Sequence, residues 1–331
     1  MKVSFFQKLN TRLFIIPLLA MLFVFIVGGF AFYYFVPLYL FNDYPKSHLA
    51  GLVSEKKLTL DTWFEQHRRH VEYLSGNPAI RDNLLILGSA PVNSGSSQRK
   101  IINLVSGEIQ VKTSKLLEDM AQSSHLRMLS VLSKEGKVLS SSRKELVGED
   151  WSDKPLVKDM LSGANPSSMS GFYGEGGGES GVVFLSPVFD ANESMAAVLY
   201  AVANVDSPAR FLGTGSSTYK SEKVELIDMD GNLLLSKRGT PERRLRYNIP
   251  RNGKENISGL RDNLFFYVAN LDNVPFRLIG TIEKPEIMRP FTVLSILFFA
   301  FAGLLVLVMA YQSGYLAPKI VTKPLSRLVS A

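Results

Sequence analysis

The chain has no cysteine among its 331 residues. That excludes a disulfide framework, a CxxC redox centre and any thiolate metal site, so rigidity has to come from packing. Histidine is scarce, with four residues, and neither a Ser/His/Asp order nor a GxSxG motif stands out. Acidic residues are missing near both ends: Lys2, Lys8 and Arg12 precede the first apolar run, and Lys319, Lys323 and Arg327 follow the second. Those six carry nearly all of the +7 net charge, leaving 31 basic against 30 acidic residues between 36 and 318. No basic stripe is left to track a phosphate backbone, and nucleic acid is not an expected partner. A hydrophobic content of 46% excludes a disordered or collagen-like chain.

Two long uncharged runs are present. Leu13 to Phe35 has 23 residues, about 34 Å of helix against a hydrocarbon core of about 30 Å, and Phe291 to Tyr311 has 21. The first run has the basic lead of a signal peptide, but it exceeds the usual h-region of about 7 to 15 residues. It ends in an aromatic belt (Phe30, Phe32, Tyr33, Tyr34, Phe35) rather than a small-residue cleavage site, which reads as an uncleaved anchor. The positive-inside rule puts both termini in the cytoplasm and residues 36–290 outside. The architecture suggests a bacterial inner membrane, with that loop in the periplasm.

After the first run, Leu49, Val53, Leu60, Trp63, His67, Val71 and Leu74 recur at helical steps, predicting one amphipathic helix over about 43–76. Lys56 and His67 interrupt its seam. Gly76-Asn77-Pro78 ends it, a short helical pattern runs through Leu84, Leu85 and Leu87, residues 88–97 read as a loop, and a further helix covers about 98–122. Leu129 to Ser140 then predicts a hairpin around Gly136, and Glu225 to Ser236 repeats it around Gly231. Each hairpin leads to a Gly-rich middle and a final strand pair: Gly181–Pro187 with Ala196–Val205, and Asn263–Ala269 with Phe276–Ile282. The simplest account is a tandem pair of α+β modules.

A long membrane-proximal helix followed by two hairpin-led sheet modules between two spans resembles the double Cache extracytoplasmic sensor region of bacterial receptors. The strings that carry the likeness are LSGNPAIRDNL (74–84), LVGEDWSDKPLVKDMLSG (146–163), SPVFDANESMAAVLYAVANVD (186–206) and NVPFRLIGTIEKPEIMRP (273–290). The expected fold is therefore α+β: two transmembrane helices flanking the long helix and two tandem PAS-like antiparallel-sheet modules. The division is 1–12 cytoplasmic, 13–35 first span, 36–290 sensor, 291–312 second span. Within the sensor the membrane-distal module covers about 98–212 and the membrane-proximal module about 213–290. Residues 313–331 resemble the start of a HAMP domain, which implies a second HAMP helix and an output domain that this sequence does not contain.

Other motifs read as ordinary structure. Gly174 to Gly181 lacks the GK[ST] end of a P-loop and precedes a strand, so it reads as a flexible loop, with a pocket lid as the alternative. Asp228-Met-Asp230-Gly231-Asn232 begins like a calcium loop, but Gly239 stands where the bidentate Glu belongs. His67 and His70 are spaced to share a metal, with no third ligand to complete a set. The sequence therefore gives no expectation of a catalytic residue, a metal site or a cofactor.

The resemblance implies that the distal module holds the ligand. Members that bind amino acids carry Tyr, four residues, Arg, one residue, Trp-Tyr, and an Asp on the last strand. Here Glu149, Lys154, Leu156-Val157 and Asn204 occupy those positions, so an ordinary α-amino acid is not expected. Lys154 offers a point charge to one carboxylate, and Trp151, Phe172 and Tyr173 offer an apolar wall. With Phe184, Ser186 and Asn204 they form the candidate ligand-binding set. The competing reading makes Trp151 core filler and Lys154 a surface cation. The expected function is a transmembrane signal receptor that senses a small molecule as a homodimer in the lipid bilayer. It would signal through the second span and HAMP to a histidine kinase, chemotaxis or nucleotide cyclase output. The alternative is a membrane-tethered module that binds a periplasmic protein.

Overall fold

The computed structural model describes residues 19, 22–30, 34, 43–88, 96–163, 169–175, 179–214, 218–237, 246–247, 257–261 and 263–311. Helix α1 (Tyr44–Ser75) starts with Pro45 in its first turn, where a missing N–H costs nothing, and runs 32 residues, about 48 Å. It is followed by α2 (Pro78–Gly88) and α3 (Ser96–Ser123), so Gly88 and Ser96 at the rims of the expected loop are helical. The first sheet comprises β1 (Leu126–Leu132), β2 (Val138–Ser141), β3 (Met169–Glu175), β4 (Glu179–Phe189) and β5 (Met195–Asn204), with α4 (Pro155–Leu161) between β2 and β3. Helix α5 (Asp206–Gly213) leads to the second sheet: β6 (Lys223–Asp228), β7 (Leu233–Leu235), β8 (Ile257–Arg261), β9 (Leu264–Asn270) and β10 (Phe276–Glu283). Helix α6 (Lys284–Tyr311) follows β10 with no residue between.

Both sheets are antiparallel with the same order, β2-β1-β5-β4-β3 and β7-β6-β10-β9-β8, so the repeat inferred from two hairpins is a repeat of whole sheets. Gly136 (φ +87°) and Gly231 (φ +85°) occupy the left-handed positions that each hairpin turn requires. Strands β3 and β8 complete the sheets and were not expected from the sequence. The Gly-rich tract is shorter as a connection than it reads: Gly174 and Glu175 end β3, Glu179 begins β4, and residues 176–178 lie outside the described residues.

One core joins the two modules. Val53, Leu60, Trp63, Phe64 and Val71 of α1 pack with Leu129, Val131, Phe184 and Leu199 of the first sheet and with Leu226, Phe276 and Leu278 of the second. Each such leucine contributes about 1.5–3 kcal/mol by leaving water. β10 approaches α1 tightly at Gly280, where an added Cβ would meet Val53 Cγ2 at 2.7 Å and Leu49 Cδ2 at 3.2 Å. Lys56, 4% exposed, reaches the carbonyl oxygen of Thr214, the C-cap of α5, where a cation complements the helix end. This accounts for one interruption of the seam. His67 accounts for the other: its Nδ1–H donates to the Trp63 carbonyl at 2.9 Å, and its ring stacks on Phe184 with centroids 5.8 Å apart.

α6 is the one helix among the described residues that is long and apolar enough to cross a membrane. Its lower part presents Val293, Leu294, Ile296, Leu297, Phe299 and Phe301 outward. Of the first apolar run, residues 22–30 are helical and meet α6, with Phe25 and Phe298 rings 6.1 Å apart; most of the remainder lies outside the described residues. The HAMP-like segment 313–331 lies outside them altogether. At the top of α6, Glu286 accepts hydrogen bonds from the N–H groups of Lys220 (2.7 Å) and Ser221 (2.8 Å) and from the Ser221 hydroxyl. The Ser221 hydroxyl bond, the largest influence, and these backbone bonds hold its carboxyl below the usual range.

Candidate ligand site on the distal module

The outer face of the first sheet, opposite α1, carries Met128, Leu132, Val183, Leu185, Val198, Tyr200 and Val202, with Val157 and Met160 of α4 laid over it. The hairpin builds the approach to this face. Gly136 accepts the Trp151 backbone N–H at 2.9 Å, and the backbones of Lys137 and Asp150 pair as an isolated antiparallel β-bridge. Asp150 accepts the Ser152 N–H at 3.0 Å, and its bonds to the Ser152 side chain and then backbone hold its carboxyl below the usual range. Trp151 is thereby fixed with its ring 4.8 Å from that of Tyr200, and its indole N–H donates to Glu149 at 2.8 Å.

Lys154 is the N-cap residue of α4 and turns its ammonium back over this pair. Its Nζ lies 3.7 Å from the Trp151 ring centroid and 5.9 Å from that of Tyr200. An ammonium over aromatic faces is held by their quadrupoles, at about 0.5–2 kcal/mol. Trp151 is thus both buried packing and the floor under a half-buried cation. Below them, the Ser130 and Ser141 hydroxyls pair at 2.8 Å and are fully buried. Leu156 closes one end by packing on the backbone of β3, where a Cβ on Gly171 would run into its Cδ1.

The structure brings together Trp151 and Lys154 of the expected set and adds Tyr200. Asn204 lies on the same face by alternation, at the exposed end of β5; its Oδ1 accepts the Asp206 N–H at 3.0 Å and its Nδ2 donates to Asp206 at 2.8 Å. It caps α5. Phe184 and Ser186 belong to the other face: Phe184 is buried against Trp63, Phe64 and His67, and Ser186 bonds Ser75 at 2.8 Å. They support α1 and do not join Lys154. Phe172 and Tyr173 are placed as strand β3, paired with Val182 and Gly181, while their side chains lie outside the described residues. Tyr200 was legible in principle, since stepping back by two from Asn204 passes Val202 and reaches it. Among the described residues no cluster of three metal-ligating side chains forms; His70 bonds Ser124 at 2.7 Å.

No family model matches the chain, and no curated protein does. Similar solved structures include the sensor domain of the Vibrio cholerae histidine kinase DctB, at 13% identity, covering 72% of this chain and 98% of that one, with a TM-score of 0.49. The ligand-binding domain of the Pseudomonas fluorescens chemoreceptor CtaA in complex with L-isoleucine has 14% identity, coverage of 74% and 94%, and a TM-score of 0.48. That of the Pseudomonas aeruginosa amino acid chemoreceptor PctC in complex with GABA has 12% identity, coverage of 72% and 99%, and a TM-score of 0.48. The chain's own layout is two five-stranded antiparallel sheets of the same order on one long helix, the tandem pair of α+β modules expected from the sequence.

Proposed function

We propose that this chain is the input part of a transmembrane receptor, with residues 36–290 in the periplasm and both termini in the cytoplasm. A small ligand would bind the distal module at Lys154, Trp151 and Tyr200, and the signal would leave through α6 toward a HAMP and output region. The observation that carries the reading is the direct run of β10 into α6, locked by Glu286 to the turn before β6. Any shift of the second sheet relative to the bilayer is then a shift of the span. Lys154 favours a ligand with one carboxylate, and the departures from the amino-acid pattern disfavour an α-amino acid.

A homodimer would pair the outer face of α1. The seam at Leu49, Val53 and Leu60 is spent on the chain's own sheets, whereas Leu58, Thr62 and Tyr73 share the exposed face. Cysteines at 58 and 73 should crosslink between chains.

A second reading has support in the distal module itself, because Leu156, Trp151 and Met160 already fill much of its face. On that reading the module binds a periplasmic protein. Fluorescence separates the two. The chain has two tryptophans, so Trp63→Phe leaves Trp151 as the sole indole reporter. Saturable, competitive change in its emission across a panel of carboxylates, amines, purines and sugars supports the small-molecule reading. Unchanged emission throughout favours the protein partner.

A further inference from the structure

The two modules can be aligned by register, and each then serves as a control for the other. Leu132 lies four residues before Gly136 and pairs with Val198; Ile227 lies four before Gly231 and pairs with Arg277. Trp151 donates its N–H to Gly136, and Tyr247 donates its own to Gly231 at 2.7 Å. The bridges Lys137 to Asp150 and Asn232 to Arg246 repeat likewise. Tyr247 therefore answers to Trp151, and Arg277 answers to Val198.

At Val198 the first module keeps the position apolar and fully buried. The second module places an arginine there, in its central strand, with 4% of its surface exposed. A guanidinium stays charged at any accessible pH, and a buried charge without a counter-ion is strongly unfavourable. Its Nε is buried with no hydrogen-bond partner among the described residues. The nearby carboxylates of β6 are committed elsewhere. Glu225 accepts the Tyr247 hydroxyl, and Asp228 accepts the N–H groups of Asp230 and Asn232, both at 2.8 Å, and the Asn232 side-chain amide at 2.6 Å. Around Arg277 the same face is apolar, with Ile227, Val268 and Ile279 packed together and Tyr247 against them. Asn270, its register partner on β9, is the neighbouring polar residue.

We infer that the outer face of the membrane-proximal module is a second ligand site, which takes a small organic carboxylate with Arg277 as its counter-charge. The guanidinium fork matches a carboxylate, and the aliphatic surround suits an alkyl tail better than a fully hydrated inorganic anion. The fold itself does not demand the charge, since the first module builds the same position with valine.

The test uses the full chain in lipid nanodiscs, in a Lys154→Ala background so that the distal site is silent. Melting is followed against butyrate, and separately against inorganic phosphate, at fixed ionic strength set with chloride. Butyrate should raise the melting temperature by several degrees. Arg277→Leu should abolish that shift while melting no lower than its parent when butyrate is absent. An absent butyrate shift, or a response to phosphate alone, overturns the assignment. So does an Arg277→Leu chain that is equally destabilised with and without butyrate, because the protein itself would then supply the counter-charge. If the variant does not fold, nuclear Overhauser contacts from butyrate to labelled Ile227 and Ile279 methyls in the parent chain decide: their presence supports the site, and their absence overturns it.

Discussion

Two polar residues on the inner seam of α1 show how single side chains are accommodated. Burial is the main cause that holds His67 below the usual histidine range, the charge of His70 acts the same way, and the hydrogen bond to the Trp63 carbonyl opposes them. The unfolded chain binds a proton near pH 6.5 that the folded chain resists, so this residue's contribution is full above that pH and is lost as pH falls through the folded value. His67→Phe should keep the stacking on Trp63 and Phe184 and flatten the fall in melting temperature between pH 7 and pH 5. An unchanged slope would place the acid sensitivity elsewhere. Lys56→Met should cost about 1–3 kcal/mol, read by melting or denaturant titration, because it removes a hydrogen bond from a charged group to the Thr214 carbonyl. At the distal site, Lys154 and Trp151 were legible as residues, and Tyr200 was reachable only by alternation from Asn204. Strands β4 and β5 are buried on both faces, so hydrophobic pattern does not choose which parity points outward, and a one-residue slip put Phe184 and Ser186 on the ligand side.

Strong periodicity made the long elements readable. The helix expected over 43–76 is observed as Tyr44–Ser75, and both hairpins form around their glycines. β3 and β8 escaped because Gly, Ser and Tyr in short runs carry little alternation, and their strand character comes from the neighbours that pair with them. The contact of β10 with α1 sets how the second sheet and the long helix move together. Gly280→Ala inserts a methyl group where Val53 and Leu49 leave no room, and should lower stability by about 1–3 kcal/mol. Gly107→Ala in α3 meets open space and should raise it by up to about 1 kcal/mol. Equal effects of the two substitutions on melting would contradict the close approach.

For the whole molecule, one core ties α1 to both sheets, and the second sheet runs straight into an apolar helix long enough to span a bilayer. A ligand on either outer face can bias such an assembly only by its differential affinity for two arrangements, and near-complete reversal needs about 5.5 kcal/mol. The central claim is that a small molecule supplies this energy at the distal module. It is tested most directly by melting the full chain in nanodiscs against carboxylates, amines, purines and sugars, in an Arg277→Leu background so that the proximal site is silent, with Lys154→Ala added in parallel. By linkage, ligand at 100 times its Kd adds about 2.7 kcal/mol, a shift of a few degrees. The account predicts such a shift for at least one carboxylate and its loss in Lys154→Ala. A well-folded chain that melts at the same temperature across the panel, or an equal shift in the variant, would contradict it.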